Sequence, residues 1–470
     1  MSKVGLFGIG LETYWSQFDG LLENLNKYQL IIRHKLESYN INVIDEGIID
    51  NVNNAKRAAD SFKKEDVQII FLYVSTYALS STVLPVAQKL NIPFIILNLQ
   101  PVSKLNYNKF NDLNDRGKMT GIWLEHCQAC SVPEISSVFN RSNISYHIIT
   151  GYLKDDSAWK EVELWLEALK VLIKIKDNRL GVLGHYYNGM LDVYTDLTKL
   201  SSSFGTHIEL IEMCELKTLW DKVSEDEITK KIIEFKNVFD VVDKCEIFEI
   251  KRAARTSVAL DKLIKNHDLG SMAYYYEGQP GNEYENIVTS VIAGNTLLTG
   301  NNIPIAGECE VKNAQAMKIL AEFGAGGSFS EFYLMDFEED IVLLGHDGPA
   351  HHAIAQERVK LVPLPLYHGK PGKGLSIEMN VKNGPVTLLS IVQGKSKMKL
   401  LVAEGESVDG PILKIGNTNS RYKFSIGVKE FINCWSREGP SHHCAIGVGH
   451  IADRIEKLGY LLNLEVIKIC

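Results

Sequence analysis

Short apolar runs alternate with helical stripes through the first third of the chain. Val4–Phe7, Ile41–Ile44, Val67–Val74 and Phe94–Leu99 read as strands, and Trp15–Leu36, Asn53–Phe62 and Ala78–Lys89 as helices. Strands separated by crossover helices predict a parallel sheet. A polar stretch from about 101 to 120 interrupts the pattern and reads as loop. After the helical Ser157–Ile175 the alternation resumes, with strands at Arg179–Gly184 and His207–Met213 and helices at Glu225–Val238 and Arg252–Asn266. This predicts a second α/β unit that is no sequence repeat of the first. From about 340 the texture turns to short β-rich runs, Ile341–Leu344, Leu375–Val381, Val386–Val392, Lys399–Glu404, Ile412–Ile415 and Arg421–Ile426, punctuated by Gly, Asn-Gly and Asp-Gly. Such punctuation predicts antiparallel hairpins in a closed or sandwiched β domain. A helix with Ile451, Ile455, Leu458 and Leu462 on one stripe and a strand at Leu464–Ile469 end the chain. The expected division is 1–176, 177–326 and 327–470: α/β, α/β, then β-rich.

Composition narrows the functional classes. With 470 residues, 45 % hydrophobic and 23 % charged, the chain has the balance of a soluble globular protein of several domains. A net charge of −8 with scattered basic residues argues against nucleic acid as a partner. No apolar run is long enough to span a bilayer, and Met1-Ser2-Lys3 leads straight into a strand without a signal-peptide core, so no membrane partner and a cytoplasmic location are expected. Eight cysteines are too sparse for a disulfide framework. Cys127-Gln-Ala-Cys130 lacks a second pair at zinc-finger spacing and reads as local packing. Gly8-Ile9-Gly10 resembles a phosphate-cradling turn, but the third glycine is absent and Glu12 would repel a phosphate.

The chemistry concentrates in the last third. Glu308 lies in Gly-Glu-Cys-Glu, Glu331 after Gly-Gly-Ser-Phe-Ser, His346 after Leu-Leu-Gly, and His443 in Ser-His-His-Cys. Two carboxylates and two imidazoles suit a mid-series divalent ion, Mn²⁺ first, with Co²⁺ or Mg²⁺ as alternatives. Each residue alone has a bland reading. Glu308 precedes a helix it could cap, and His346 ends an apolar run where a satisfied hydrogen bond is ordinary. Of the adjacent His442 and His443, one would bind an ion while the other faces substrate or orients a ligand. Tyr274-Tyr275-Tyr276 suits either a core strand or a sugar-stacking platform. His368-Gly-Lys-Pro-Gly-Lys373 suits a solvated hairpin tip, or an anion contact through Lys370 or Lys373.

Taken in order, Ala306-Gly307-Glu308, Gly327-Ser328-Phe329-Ser330-Glu331, Leu344-Gly345-His346, Gly384-Pro385 and Gly439-Pro440-Ser441-His442-His443 resemble the C-terminal half of the L-arabinose isomerase family. The resemblance implies two Rossmann-like parallel-sheet domains followed by a β-barrel-like domain. It also implies an Mn²⁺-dependent aldose–ketose isomerase with Glu308, Glu331, His346 and His443 as metal ligands. Glu308 and Glu331 would be the acid and base that move a proton between sugar carbons 1 and 2 through a cis-enediol. Trimers or hexamers are implied as well.

The N-terminal half is less similar. Gly10-Leu11-Glu12-Thr13-Tyr14-Trp15 and His126-Cys127-Gln128-Ala129-Cys130-Ser131 stand where the family reads its sugar, so Glu12, Trp15, Gln128 and His442 are the expected substrate contacts. Because only Gln128 keeps the family's polar contact there, a sugar other than L-arabinose is expected, an acidic hexose such as sulfoquinovose included. A non-catalytic sugar-binding protein is the alternative from another class, and a metal-dependent hydrolase is disfavoured because it would need no second α/β domain.

Overall fold

The computed structural model describes residues 2–367 and 372–470. His368, Gly369, Lys370 and Pro371, part of the basic motif noted above, lie outside the described residues. The chain forms two compact units, Met1–Lys170 and Val171–Cys470.

In the first unit, β1 (Lys3–Ile9), β2 (Asn42–Ile49), β3 (Ile69–Tyr73), β4 (Phe94–Gln100) and β5 (Tyr146–Tyr152) form a parallel sheet in the order β2-β1-β3-β4-β5. That is a doubly wound order. All five residues of β3 are buried, as a central strand covered on both faces requires.

The helix expected from Trp15 begins at Leu21, because Gly20 takes a left-handed conformation (φ 81°) and breaks the run. The expected loop at 101–120 is corrected: it holds helices Tyr107–Asn111 and part of Arg116–Glu125. Their starts are fixed by Asn106 and Asp115, whose side chains accept from the Lys109 and Lys118 amides. Neither helix carries a buried apolar stripe, so periodicity could not reveal them.

The second unit opens with β6 (Arg179–Gly184), β7 (His207–Ile211), β8 (Asp240–Val241), β9 (Ser271–Tyr275) and β10 (Ile305–Ala306). Of these, β10-β9-β6-β7 form a second parallel sheet. There follow β11 (Gly326–Asp336), β12 (Ile341–His346), β13 (Lys360–Leu364), β14 (Gly374–Glu378), β15 (Gly384–Gln393), β16 (Met398–Val408), β17 (Thr418–Phe424), β18 (His443–Val448) and β19 (Glu465–Lys468). The antiparallel order β15-β18-β11-β12-β17-β16 closes on itself through the β15–β16 ladder, giving a six-stranded barrel. Closure removes the strand edges, apart from β19, which lies parallel on β16. A ribbon of β14, β13 and β8 stands beside it.

Ile412–Ile415, expected as a strand, is irregular. The Asn419 side chain takes both the amide and the carbonyl of Leu413 and so replaces a ladder. The helix Val428–Arg437, with Val428, Phe431 and Trp435 buried, was not anticipated.

One element ties sheet to barrel. The helix Val311–Glu322 is buried at every position from Val311 to Ala321 and packs on β9, β11, β15 and β18. Two of its polar side chains find partners inside: the Gln315 carbonyl oxygen accepts from the Thr206 hydroxyl at 3.0 Å, and Lys318 pairs with Glu322 at 2.7 Å. One apolar core runs without a break from Leu183 in the sheet to Ile446 in the barrel. No helix of the described residues is long and apolar enough to cross a membrane.

Barrel packing leaves no room at Gly345. A Cβ there would stand 2.0 Å from the Thr418 carbonyl oxygen and 2.8 Å from the Tyr333 ring. Gly345→Ala should lower the free energy of unfolding by about 1–3 kcal/mol, the usual cost of overpacking, measured by urea denaturation. An unchanged midpoint would show that the β12–β17 ladder yields freely.

Candidate metal and substrate site

Strand register gathers the site. Glu331 on β11 lies directly opposite His443 on β18 and Gly345 on β12, and His346 is the next residue along β12. The Phe329 ring packs against both imidazoles, with centroids 4.5 Å from His346 and 4.3 Å from His443.

Glu308 arrives from the other sheet, in the short turn between β10 and the buried helix. Glu308 and Cys309 are both left-handed (φ 53° and 57°), a conformation costly for residues with a Cβ. The Cys309 amide donates to the Tyr274 carbonyl at 3.1 Å and the Glu310 amide to the Gly307 carbonyl at 2.9 Å, which fixes the turn. Backbone strain of this kind collects at functional sites.

The side chains converge in two overlapping triads. Glu308, His346 and His443 form one, and Glu331, His442 and His443 the other, with the donor atoms of each within 4.8 Å of one another. Glu308 Oε2 stands 3.2 Å from His443 Nε2 and 3.6 Å from His442 Nε2, and Glu308 Oε1 is 3.9 Å from His346 Nε2. His442 Nε2 is also 3.9 Å from Glu331 Oε2. The structure therefore brings together all four residues expected as ligands, together with His442.

The donor set suits a divalent cation. Glu308 Oε2, His346 Nδ1 and His443 Nε2 are buried without a hydrogen-bond partner, a costly arrangement unless something else satisfies them. Burial holds the His346 imidazole down to about 3, the Coulombic effect of His443 adding to it, so the ring is neutral and free to ligate. Burial also disfavours a charge on His443, but its contacts with Glu308 and Glu310 outweigh that and raise its basicity. For Glu308, burial opposes ionisation, yet the imidazoles of His442, His443 and His346 hold its carboxyl well below the usual range.

Two further residues orient the ligands. Glu310, 1 % exposed, takes His443 Nδ1 at 2.6 Å, which leaves Nε2 for an ion. Asp192, in the loop after β6, takes the His442 amide at 3.0 Å and His442 Nδ1 at 2.6 Å. Glu310 stood in plain view in the Gly-Glu-Cys-Glu motif. Asp192 carries no local signal at all.

The site opens into a cavity of about 270 Å³ whose walls include Tyr187, Met190, Tyr275, Val291 and Asn295. Tyr187 and Tyr275 lie 4.7 Å apart and form an aromatic wall. A larger open cavity of about 550 Å³, bounded by Lys360, Glu378 and Arg421, contains none of the site residues. Lys373 faces Glu246 at 3.6 Å.

Glu12, Trp15 and Gln128 belong to the first unit. The Glu12 carboxylate accepts from Asn51 Nδ2 at 3.3 Å, and Trp15 Nε1 donates to Asp50 at 2.8 Å. Gln128 is buried, and its amide nitrogen donates to the carbonyls of Ser75 (2.9 Å) and Glu125 (2.6 Å). Cys127 and Cys130 face one another as free thiols, Sγ to Sγ 2.8 Å.

A parallel sheet running into a closed barrel, with carboxylates and imidazoles meeting above an aromatic-walled cavity, is the build of a small-molecule site. Comparison with known proteins gives the family resemblance: residues 326–465 match the L-arabinose isomerase C-terminal domain. Over longer stretches the chain is a distant relative of sugar isomerases. It is 21 % identical over 340 residues to the sulfoquinovose isomerase of Alkalicoccus urumqiensis, covering 71 % of this chain and 74 % of that protein. It is 21 % identical over 353 residues to the L-arabinose isomerase of Bacillus subtilis, covering 72 % and 69 %. The sulfoquinovose isomerase of Priestia megaterium aligns over 426 residues, 90 % of each chain, at 18 % identity.

If Glu310 orients His443 for a cation, Glu310→Ala should weaken Mn²⁺ binding by about 10–100-fold, read by isothermal titration calorimetry. An unchanged Kd would remove Glu310 from that role.

Proposed function

We propose that this protein is a metal-dependent aldose–ketose isomerase of the L-arabinose isomerase type, holding Mn²⁺, or Co²⁺ or Mg²⁺ in its place, with Glu308, Glu331, His346 and His443. The observation that carries the reading is the meeting of two carboxylates and two imidazoles beside one cavity, with Glu308 Oε2 and His443 Nε2 buried and unsatisfied. A bound divalent cation supplies Lewis acidity, making the C–H bond beside a sugar carbonyl acidic enough to break. One of Glu308 and Glu331 would remove the proton from carbon 2 while the other protonates the carbonyl oxygen O1, giving the cis-enediol; the second would then take the proton from O2 as the first delivers its proton to carbon 1. His442 Nε2, turned toward both carboxylates, is placed to hydrogen-bond a sugar oxygen. The Tyr187–Tyr275 wall offers an apolar face to the carbon chain.

For the substrate we infer an aldose other than L-arabinose, with six carbons. The described cavity lining contains no lysine or arginine, which favours an uncharged sugar. Similarity to sulfoquinovose isomerases favours a sulfonated hexose as the second reading. Glu12, Trp15 and Gln128 remain proposed sugar contacts by resemblance. The trimeric or hexameric state and the cytoplasmic location are proposed on the same basis.

A panel of neutral, phosphorylated and sulfonated aldoses incubated with Mn²⁺ in D₂O should yield ketose carrying deuterium at the carbon that receives the proton. Glu308→Gln and Glu331→Gln should each cut kcat by at least about 10²–10⁴-fold with the fold intact by circular dichroism. Sugar binding without turnover on any member of the panel would replace the isomerase with a binding protein. A clear preference for L-arabinose would overturn the substrate assignment.

A further inference from the structure

The loop that follows β6 reaches the site through one residue. Asp192 meets the segment Ser441–His442 three times and Lys312 once. Its carboxylate takes the His442 amide (3.0 Å) and Nδ1 (2.6 Å), and its backbone carbonyl accepts from Ser441 Oγ (3.3 Å) and from Lys312 Nζ (2.5 Å). These two sets of contacts do different things. The carbonyl contacts hold the loop in place, and with it Tyr187 and Met190 on the cavity wall. They would survive removal of the side chain. The carboxylate contacts act on His442 alone, at its amide and its ring.

A carboxylate oxygen at Nδ1 requires that nitrogen to carry a hydrogen, which fixes which edge of the ring remains for other partners. The remaining edge, Nε2, lies 3.6 Å from Glu308 and 3.9 Å from Glu331, between the two carboxylates. His442 needs such a hold. Asp192 and His442 are each 38 % exposed, so packing alone does not lock the ring. His443, by contrast, is fully buried and braced by Glu310.

Building on the isomerase reading, we propose that Asp192 is a positioning residue, whose carboxylate holds the His442 ring so that Nε2 faces the sugar between Glu308 and Glu331. Both bonds end on the same carboxylate oxygen, Oδ2. The amide oxygen of an asparagine can therefore make both, whereas alanine makes neither.

The test compares Asp192→Ala, Asp192→Asn, His442→Ala and the Asp192→Ala/His442→Ala double variant in the full-length protein, on whichever panel sugar the wild type turns over. Asp192→Ala should lower kcat by about 10–100-fold, the usual cost of losing a partner that orients a site histidine. KM should change less than threefold and the melting temperature little, because the carbonyl contacts of residue 192 remain. Asp192→Asn should regain most of the lost rate. In the double variant the loss should equal that of His442→Ala alone, since a residue acting through another adds nothing once that other is gone. Losses that multiply in full, an Asp192→Ala variant as active as wild type, or an asparagine no better than alanine would each overturn the proposal. Crystals of wild type and Asp192→Ala supply a readout independent of turnover. The ring should keep its orientation in the first and leave it in the second, and an unmoved ring counts against the proposal. If the wild type isomerises no sugar, the isomerase reading fails, while the crystals still decide what Asp192 does.

Discussion

Everything at the site depends on the register of three neighbouring barrel strands. Because β11 pairs with β18 on one side and β12 on the other, Glu331 faces His443 across one ladder and stands beside His346 across the other. Side chains alternate between the two faces of a strand, so a slip of one residue in the β11–β18 ladder would turn Glu331 and His443 to opposite faces. Barrel closure through β15 and β16 makes such a slip expensive, since every strand's register is held by both neighbours.

The fourth donor is positioned differently. Glu308 sits on a turn whose two consecutive left-handed residues cost about 1–3 kcal/mol each in backbone strain. The buried helix Val311–Glu322 that follows offsets this, because it is packed on both the parallel sheet and the barrel and cannot shift to relax the turn. Rigid ladders supply three donors and a loaded turn supplies the last. This is how a site can be held to a fraction of an ångström while drawing on residues from two sheets.

Much of this was readable from residue patterns. The parallel sheets follow from alternating apolar runs and helical stripes, and the barrel from hairpin punctuation after 340. Some parts were not readable, and two of them show why in physical terms. The helices at 107–125 are held by Asn106 and Asp115 caps rather than by an apolar stripe, and periodicity detects only stripes. At the site, Glu308, Glu331, His346 and His443 announced themselves by type and setting. Asp192 did not, because a lone aspartate in a loop is chemically ordinary until the fold carries it to His442. The basic motif at 368–373 shows the reverse case: Lys373, the cation of the pair that can be placed, is engaged with Glu246.

The order of the strands along the chain also bears on when the site comes into being. His443 begins β18, the last strand to enter the barrel ring, and β18 sits between β15 and β11, both made earlier. A chain growing from its N-terminus can form the first unit and the second parallel sheet while the barrel is still an open ribbon. Until β18 inserts, the two carboxylates and His346 face a gap where two ladders are missing. These long-range pairings are slow to form, because distant segments must meet before any contact rewards them. A nascent or truncated chain therefore goes through synthesis without the assembled donor set. Under the proposed metal-dependent function, acquisition of the ion would be deferred to the moment the barrel shuts, and loading with metal would report completed folding.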